Sequence, residues 1–260
     1  MCMIVCRGLT RYFDDFPAVQ ALNISVKRGE LFGFLGPNGA GKTTTIKMFT
    51  GLLRPSAGVC LLGGYDVYQQ PIEARRLLGY VPDTPFIYDK LSGREFVEFM
   101  SDLYSMPRRG RNEKIEKLLK MLDMLEKADN LAGSYSRGMR QRIALAGALI
   151  HEPSALFLDE PTVGLDPRGA QKMQEILREL CRQGTAVFIS THSLGIAELL
   201  CNKVAIINNG RLVAEGSPQE LHDAAPHTKS LEELFLQMTS EPNNQDRNPN
   251  LDRNGDHDGQ

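Results

Sequence analysis

The chain has 260 residues, 42% of them apolar and 24% charged, which places it among ordinary globular proteins and excludes collagen-like and low-complexity classes. Its 30 basic and 32 acidic residues leave a formal charge of −2, so no general polyanion-binding surface is expected and nucleic acid is not an expected partner. The five cysteines (Cys2, Cys6, Cys60, Cys181 and Cys201) are scattered and form no CxxC pair, which predicts reduced thiols and neither a disulfide framework nor a zinc site.

In chain order, residues 3–5 and 19–26 read as short strands, the second ending at the turn Lys27-Arg28-Gly29. The apolar run Leu31–Gly36 follows. It leads into Gly36-Pro37-Asn38-Gly39-Ala40-Gly41-Lys42-Thr43, which fits G-x-x-x-x-G-K-[ST], and then into a helical stretch at Thr44–Thr50. The spacing has a physical purpose. Glycines let successive backbone N–H groups turn inward around a phosphate, and the positive end of the following helix adds to the field. A lysine then reaches the outer phosphate oxygens and a threonine hydroxyl binds Mg²⁺, roles that fall to Lys42 and Thr43.

Val59–Gly63 reads as another strand. Between about Thr84 and Ile150 the strand signals stop, while Phe96, Phe99, Met100 and Leu103, then Ile115, Leu118, Leu119, Leu122 and Leu125, recur at helical spacing. A helical insertion is predicted there. The Leu/Met stripe of residues 113–127 reads as core-facing, with a partner-binding face as the other reading. Ser136 is a good N-cap for a helix running to Ile150, whose N-terminus would suit an anion.

Next comes Ala155–Asp159, an apolar strand that delivers Asp159 and Glu160 at its C-terminal end, where ligands of open α/β sheets sit. Asp159 is the expected Mg²⁺ partner. Glu160 is then free to polarise an attacking water, so the pair points to cleavage of a nucleoside triphosphate. Thr185–Ser190 and Val204–Ile207 complete the run of buried strands, and 211–215 reads as a short strand after the turn Asn208-Asn209-Gly210. This alternation predicts an α/β fold with a mainly parallel sheet, and residues 3–5, 19–26, 59–62 and 211–215 predict a small antiparallel sheet beside it. Residues 240–260 have one leucine and no apolar period, which predicts a disordered tail. There is no run of about 18 apolar residues and no signal-peptide layout at the N-terminus, so a cytoplasmic location without direct membrane insertion is expected. No Asn/Thr-Lys-x-Asp segment is present, which favours ATP over GTP; transfer of a phosphoryl group to an acceptor stays formally open.

The segment Ser134-Tyr135-Ser136-Arg137-Gly138-Met139-Arg140-Gln141-Arg142 resembles the defining segment of ATP-binding cassette (ABC) ATPases, and the resemblance runs from Ile4 to about Met238. It implies a P-loop NTPase core with a mainly parallel sheet, a small antiparallel β subdomain and a helical insertion subdomain over about 84–150, all within a domain at 1–239. It implies ATP and Mg²⁺ as cofactors, held by residues 36–44, including Thr44. In that family the helix N-terminus meets the γ-phosphate bound to the other subunit, which implies that role for Ser136 and Gly138 and a second ABC ATPase subunit as partner. Phe13 stands where an aromatic ring stacks on adenine. Gly164-Leu165-Asp166 resembles the loop that communicates across the dimer, and His192, after the strand Ala186–Ser190, resembles the histidine that senses the γ-phosphate.

Two departures stand out. Tyr135, Arg137 and Met139 differ from the common Leu-Ser-Gly-Gly-Gln, and Asp83 replaces a glutamine that usually contacts the metal and the attacking water. Metal contact by Asp83 through water is still expected, with slower or altered hydrolysis. The implied function is the ATPase subunit of an ABC transporter of the exporter-like branch, peripheral on the inner face of the cell membrane and driving a separate transmembrane permease subunit. Two alternatives are a soluble ABC ATPase acting on ribosomes or nucleic acid and a low-turnover ATP-binding regulatory module.

Overall fold

The computed structural model describes residues 2–223 and Phe235, so the tail expected at 240–260 lies outside the described residues. The chain opens with a long antiparallel hairpin, β1 (Cys2–Phe13) and β2 (Phe16–Lys27), which turns at Asp14 in the left-handed region that aspartate tolerates. Then follow β3 (Leu31–Leu35), α1 (Lys42–Phe49), β4 (Ala57–Leu62), β5 (Tyr65–Asp66), α2 (Pro71–Arg76) and β6 (Leu78–Val81). Helices α3 (Gly93–Leu103), α4 (Arg111–Met121) and α5 (Arg137–Leu149) come next. The chain returns to the sheet with β7 (Ala155–Asp159), α6 (Pro167–Arg182), β8 (Ala186–Thr191), α7 (Leu194–Leu200), β9 (Lys203–Asn208), β10 (Arg211–Gly216) and α8 (Pro218–Asp223). No helix among the described residues is long and apolar enough to cross a membrane.

Two sheets result. A four-stranded antiparallel sheet has the order β2-β1-β4-β5, and a six-stranded sheet has the order β10-β9-β3-β8-β7-β6, parallel except at β10. The α/β fold with an antiparallel subdomain agrees with the sequence-based expectation, with one correction. Residues 211–215 do not join the small sheet; they pair antiparallel with β9 at the edge of the large one. The cause is local: Asn209 and Gly210 both adopt positive φ, which folds the chain straight back as a tight hairpin.

Strands β3, β7 and β8 are buried along their whole length, which is why they read as unbroken apolar runs. Alternate side chains serve different cores. Phe32, Phe34, Phe157 and Phe188 pack with Phe49 and the inward residues of the antiparallel sheet, while Leu31, Leu35, Leu156, Leu158, Val187 and Ile189 pack on the other face with residues of the helices. Ile115, Leu119 and Leu122 of the stripe at 113–127 are buried in that second core and Leu118 packs partly against it, while Leu125 stays exposed. Phe99 and Leu103 stay exposed, although they share the helical spacing of Phe96. A capping box between Ser92 and Glu95 starts α3.

The parallel register sets Leu35 beside Thr191 and Asp159 beside Ser190. The segments that follow β3, β7 and β8 therefore emerge together at one edge of the sheet.

Candidate nucleotide site

After β3 the chain turns through 36–41 into α1, packed so closely that glycine is required. A Cβ on Gly36 would stand 2.5 Å from the Ile207 carbonyl oxygen; one on Gly41, at φ 106°, would stand 2.6 Å from that of Ala18. Lys42 opens α1 and is only 7% exposed. Its Nζ donates to the carbonyl oxygens of Gly36 at 2.7 Å and Pro37 at 3.1 Å, so the ammonium fills the centre of its own loop. Burial lowers the lysine pKa, and the nearby charges of Glu160 and Asp159 act in the opposite direction.

Thr43 Oγ1 donates to Asp159 Oδ2 at 2.9 Å, and the Ser190 hydroxyl donates to the other carboxylate oxygen. Asp159 is thus fixed at the end of β7, 3% exposed. Glu160 follows with φ 51°, a left-handed conformation unusual for a residue other than glycine. Its N–H donates to the Ser190 carbonyl at 3.0 Å. Its Oε1 lies 2.8 Å from His192 Nδ1, and its Oε2 is buried without a hydrogen-bond partner. The His192 side chain itself is more than half exposed.

A cavity of about 350 Å³ is lined by Asn38, Gly39, Gly41, Lys42, Thr43, Thr44, Asp83, Asp159 and Glu160, with Phe13, Phe16 and Ala18 on one side; Ser190 and His192 stand behind Asp159 and Glu160 and are not in its wall. Gly36, Pro37 and Ala40 are not in its wall; Gly36 and Pro37 hold Lys42, and Ala40 is buried. Phe13 is 43% exposed, and the Arg11 guanidinium stands 4.8 Å from its ring centroid. Phe13 and Phe16 give the cavity an exposed aromatic side suited to a planar base.

A hard divalent cation takes oxygen ligands, and the Thr43 hydroxyl with the Asp159 carboxylate supplies two of them in contact. No group of three or more His, Cys, Asp or Glu residues among the described residues could hold a metal by itself. The donor set therefore fits Mg²⁺, which commonly pairs one or two protein ligands with substrate phosphates and water.

Ser136, Gly138 and Asp166 are not brought to this cavity. They line a separate hollow of about 300 Å³ with Arg137, Met139, Arg142, Gly164 and Leu165, and the two hollows share no residue. Ser136 caps α5, its hydroxyl accepting from the Met139 N–H at 3.3 Å. Asp166 caps α6, its Oδ1 accepting from the Gly169 N–H at 2.9 Å.

Asp83 lies in the wall of the first cavity with its Oδ1 accepting from Arg137 Nη2 at 2.7 Å. Three features escape sequence reasoning: this ion pair, the Ser190 hydrogen bond to Asp159, and Phe16. Phe16 follows the Asp14-Asp15 turn directly, and that turn is the one local signal pointing to it.

Residues 19–163 match the profile of the ABC transporter family. The probable multidrug ABC transporter ATP-binding protein YbhF of Escherichia coli is 37% identical over 241 residues, 91% of this chain and 41% of that protein, so the chain spans about two fifths of this relative. The Nod factor export ATP-binding protein I of Burkholderia orbicola is 40% identical over 215 residues, 83% of this chain and 71% of that one. A solved ATP-binding subunit of an ABC transporter superposes with a TM-score of 0.85 at 29% identity, covering 91% of this chain and 99% of that one. The profile spans more than half of the sequence and falls on the loop, strand and helix that build the cavity; the chain belongs to the ABC transporter family and carries its ATPase domain.

Proposed function

We propose that this chain is the ATPase subunit of an ABC exporter: it binds ATP with Mg²⁺ in the cavity beside β3 and drives a separate transmembrane permease subunit by closing against a second ABC ATPase subunit. Lys42 neutralises the outer phosphates and Phe13 stacks on adenine. Thr43 and Asp159, with Asp83 in the same cavity wall, would hold Mg²⁺, which would supply positive charge against the phosphates. Glu160 accepts a proton from the attacking water on its partnerless Oε2, while His192 fixes the carboxylate through Oε1. The water oxygen bonds to the γ-phosphorus and the bond to the β–γ bridging oxygen breaks.

The observation that carries the two-subunit reading is the separation of the hollows. The capped N-terminus of α5, flanked by Arg137 and Arg142, is suited to an anion but has no phosphate loop of its own. A second subunit supplies the missing nucleotide. Export is supported by the relative named for Nod factor export, and a position on the inner face of the cell membrane follows from the proposed coupling to a permease. The Asp83–Arg137 pair favours one second reading, a low-turnover ATP-binding module; the Glu160–His192 contact argues against it.

The test is light scattering of a Glu160→Gln variant with and without ATP. Dimer formation that requires ATP is expected. A strictly monomeric variant, with nucleotide bound and permease present, contradicts the closing mechanism.

A further inference from the structure

Helix α5 begins with cations and no acid. Arg137 is its first residue, Arg140 lies one turn further, and its first turn contains no acidic side chain. Positive charges at a helix N-terminus oppose its dipole, so counter-charge must come from elsewhere. It comes from the segment ahead of α3: Arg137 Nη2 donates to Asp83 Oδ1 at 2.7 Å, and Arg140 Nη2 to Asp89 Oδ1 at 2.6 Å. The Arg137 side chain also lies against the loop that leads to Asp166, since a Cβ on Gly164 would stand 2.9 Å from Arg137 Cδ. One side chain therefore joins Asp83, the start of α5 and the loop after Glu160.

The two ends of this pair face different hollows. Asp83 lines the cavity of Lys42, Thr43 and Asp159, whereas Arg137 lines the hollow of Ser136 and Asp166. Both side chains are about half exposed, at 47% and 49%, so a change of partner requires no unfolding. A guanidinium binds a phosphate through the same planar fork that it offers a carboxylate, and a triphosphate brings several negative charges against the single one of Asp83.

We propose that Arg137 is a positioning residue that exchanges partners. In the nucleotide-free chain it holds Asp83. When the chain closes on a second copy, Arg137 transfers to the terminal phosphate of the nucleotide on that copy, and Asp83 is released toward the Thr43–Asp159 cation site of its own chain. Each nucleotide thereby frees an acid in the opposite site, which couples the two sites. This inference rests on the two-subunit closure proposed above.

The test is the ATP concentration that half-dimerises the full chain in the Glu160→Gln background, read by light scattering. Arg137→Gln should raise that concentration. With EDTA present, so that no divalent cation engages the released carboxylate, the nearly isosteric Asp83→Asn should lower it about two- to fivefold, the scale of an exposed ion pair that no longer competes. In the Arg137→Gln background the Asp83→Asn change should have no such effect, because the competition it relieves is already absent. A pair that merely braces the fold would move both single variants in the same direction. The exchange is overturned if Asp83→Asn leaves the concentration unchanged or raises it, or if the gain persists in the Arg137→Gln background. Absence of any dimer in the Glu160→Gln parent would overturn the closure itself, and this inference with it. Asp83→Asn decides the question even if Arg137→Gln fails to fold.

Discussion

His192 Nδ1 stands 2.8 Å from Glu160 Oε1, joining the residue that follows β8 to the residue that follows β7. The contact occupies one carboxylate oxygen and leaves Oε2 buried and unpartnered, a geometry suited to accepting a proton from water. Glu160→Gln should therefore cut phosphate release by about 10²- to 10⁴-fold while ATP affinity stays near that of the native chain. His192→Ala should also slow turnover, by a smaller factor, since it loosens the carboxylate without removing it. Steady-state phosphate release beside equilibrium nucleotide binding checks both.

Lys42 is held by two carbonyl oxygens of its own loop, so its ammonium is already positioned before any phosphate arrives. Lys42→Ala should weaken ATP binding by about thirtyfold or more, the cost of leaving a buried partner charge unpaired. Titration with a fluorescent nucleotide measures this. An unaltered affinity would show that the loop is not the phosphate site.

Phe13 presents an exposed ring at one side of the cavity. Phe13→Ala should raise the Kd for ATP by about fivefold or more, because base–aromatic stacking is worth about 1–3 kcal/mol. The affinity for inorganic triphosphate, which has no base, should be unchanged; calorimetry with both ligands separates stacking from a general disturbance.

Asp83→Gln removes the ion pair to Arg137 and installs the residue more usual at this point in the family. Turnover and its Mg²⁺ dependence should both shift. If neither changes in a phosphate-release titration against Mg²⁺, Asp83 has no part in hydrolysis.

Away from the site, His151 stacks on Tyr104 at 3.6 Å between ring centroids and donates from Nε2 to the Leu78 carbonyl oxygen at 3.0 Å. Burial lowers its pKa from 6.5 to about 4; the Leu78 hydrogen bond acts upward and the Lys114 charge downward. Between these values the unfolded chain binds the proton and the folded chain does not, so stability present above pH 6.5 is lost as pH falls toward 4. His151→Phe keeps a ring against Tyr104 and removes the titrating imidazole. From pH 7 to pH 5 the native chain should lose about 2–4 °C more in Tm than the variant, for roughly 1 kcal/mol after allowance for partial exposure. Thermal melts at the two pH values decide it.

What could be read from the sequence follows burial and local chemistry. Strands β3, β7, β8 and β9 were legible because both faces are buried, and the loop at 36–43 because its glycines answer a steric demand. Strands β1 and β2 are each 12 residues long, yet only 3–5 and 19–26 stand out in the sequence, because register shifts at Cys6, Leu9 and Arg11 interrupt the alternation. The two-residue β5 and the short α2 leave too little pattern to detect. The Asp83–Arg137 contact spans 54 residues and has no local signature; each residue shows only as a departure from its family's usual pattern.

The most direct test of the central claim, that this ATPase drives a membrane-spanning partner, is affinity purification of the chain from detergent-solubilised membranes of its own source, with identification of what accompanies it. A stoichiometric polytopic membrane protein is predicted. Recovery from the soluble fraction alone, bound to ribosomal or DNA-associated proteins, would contradict it.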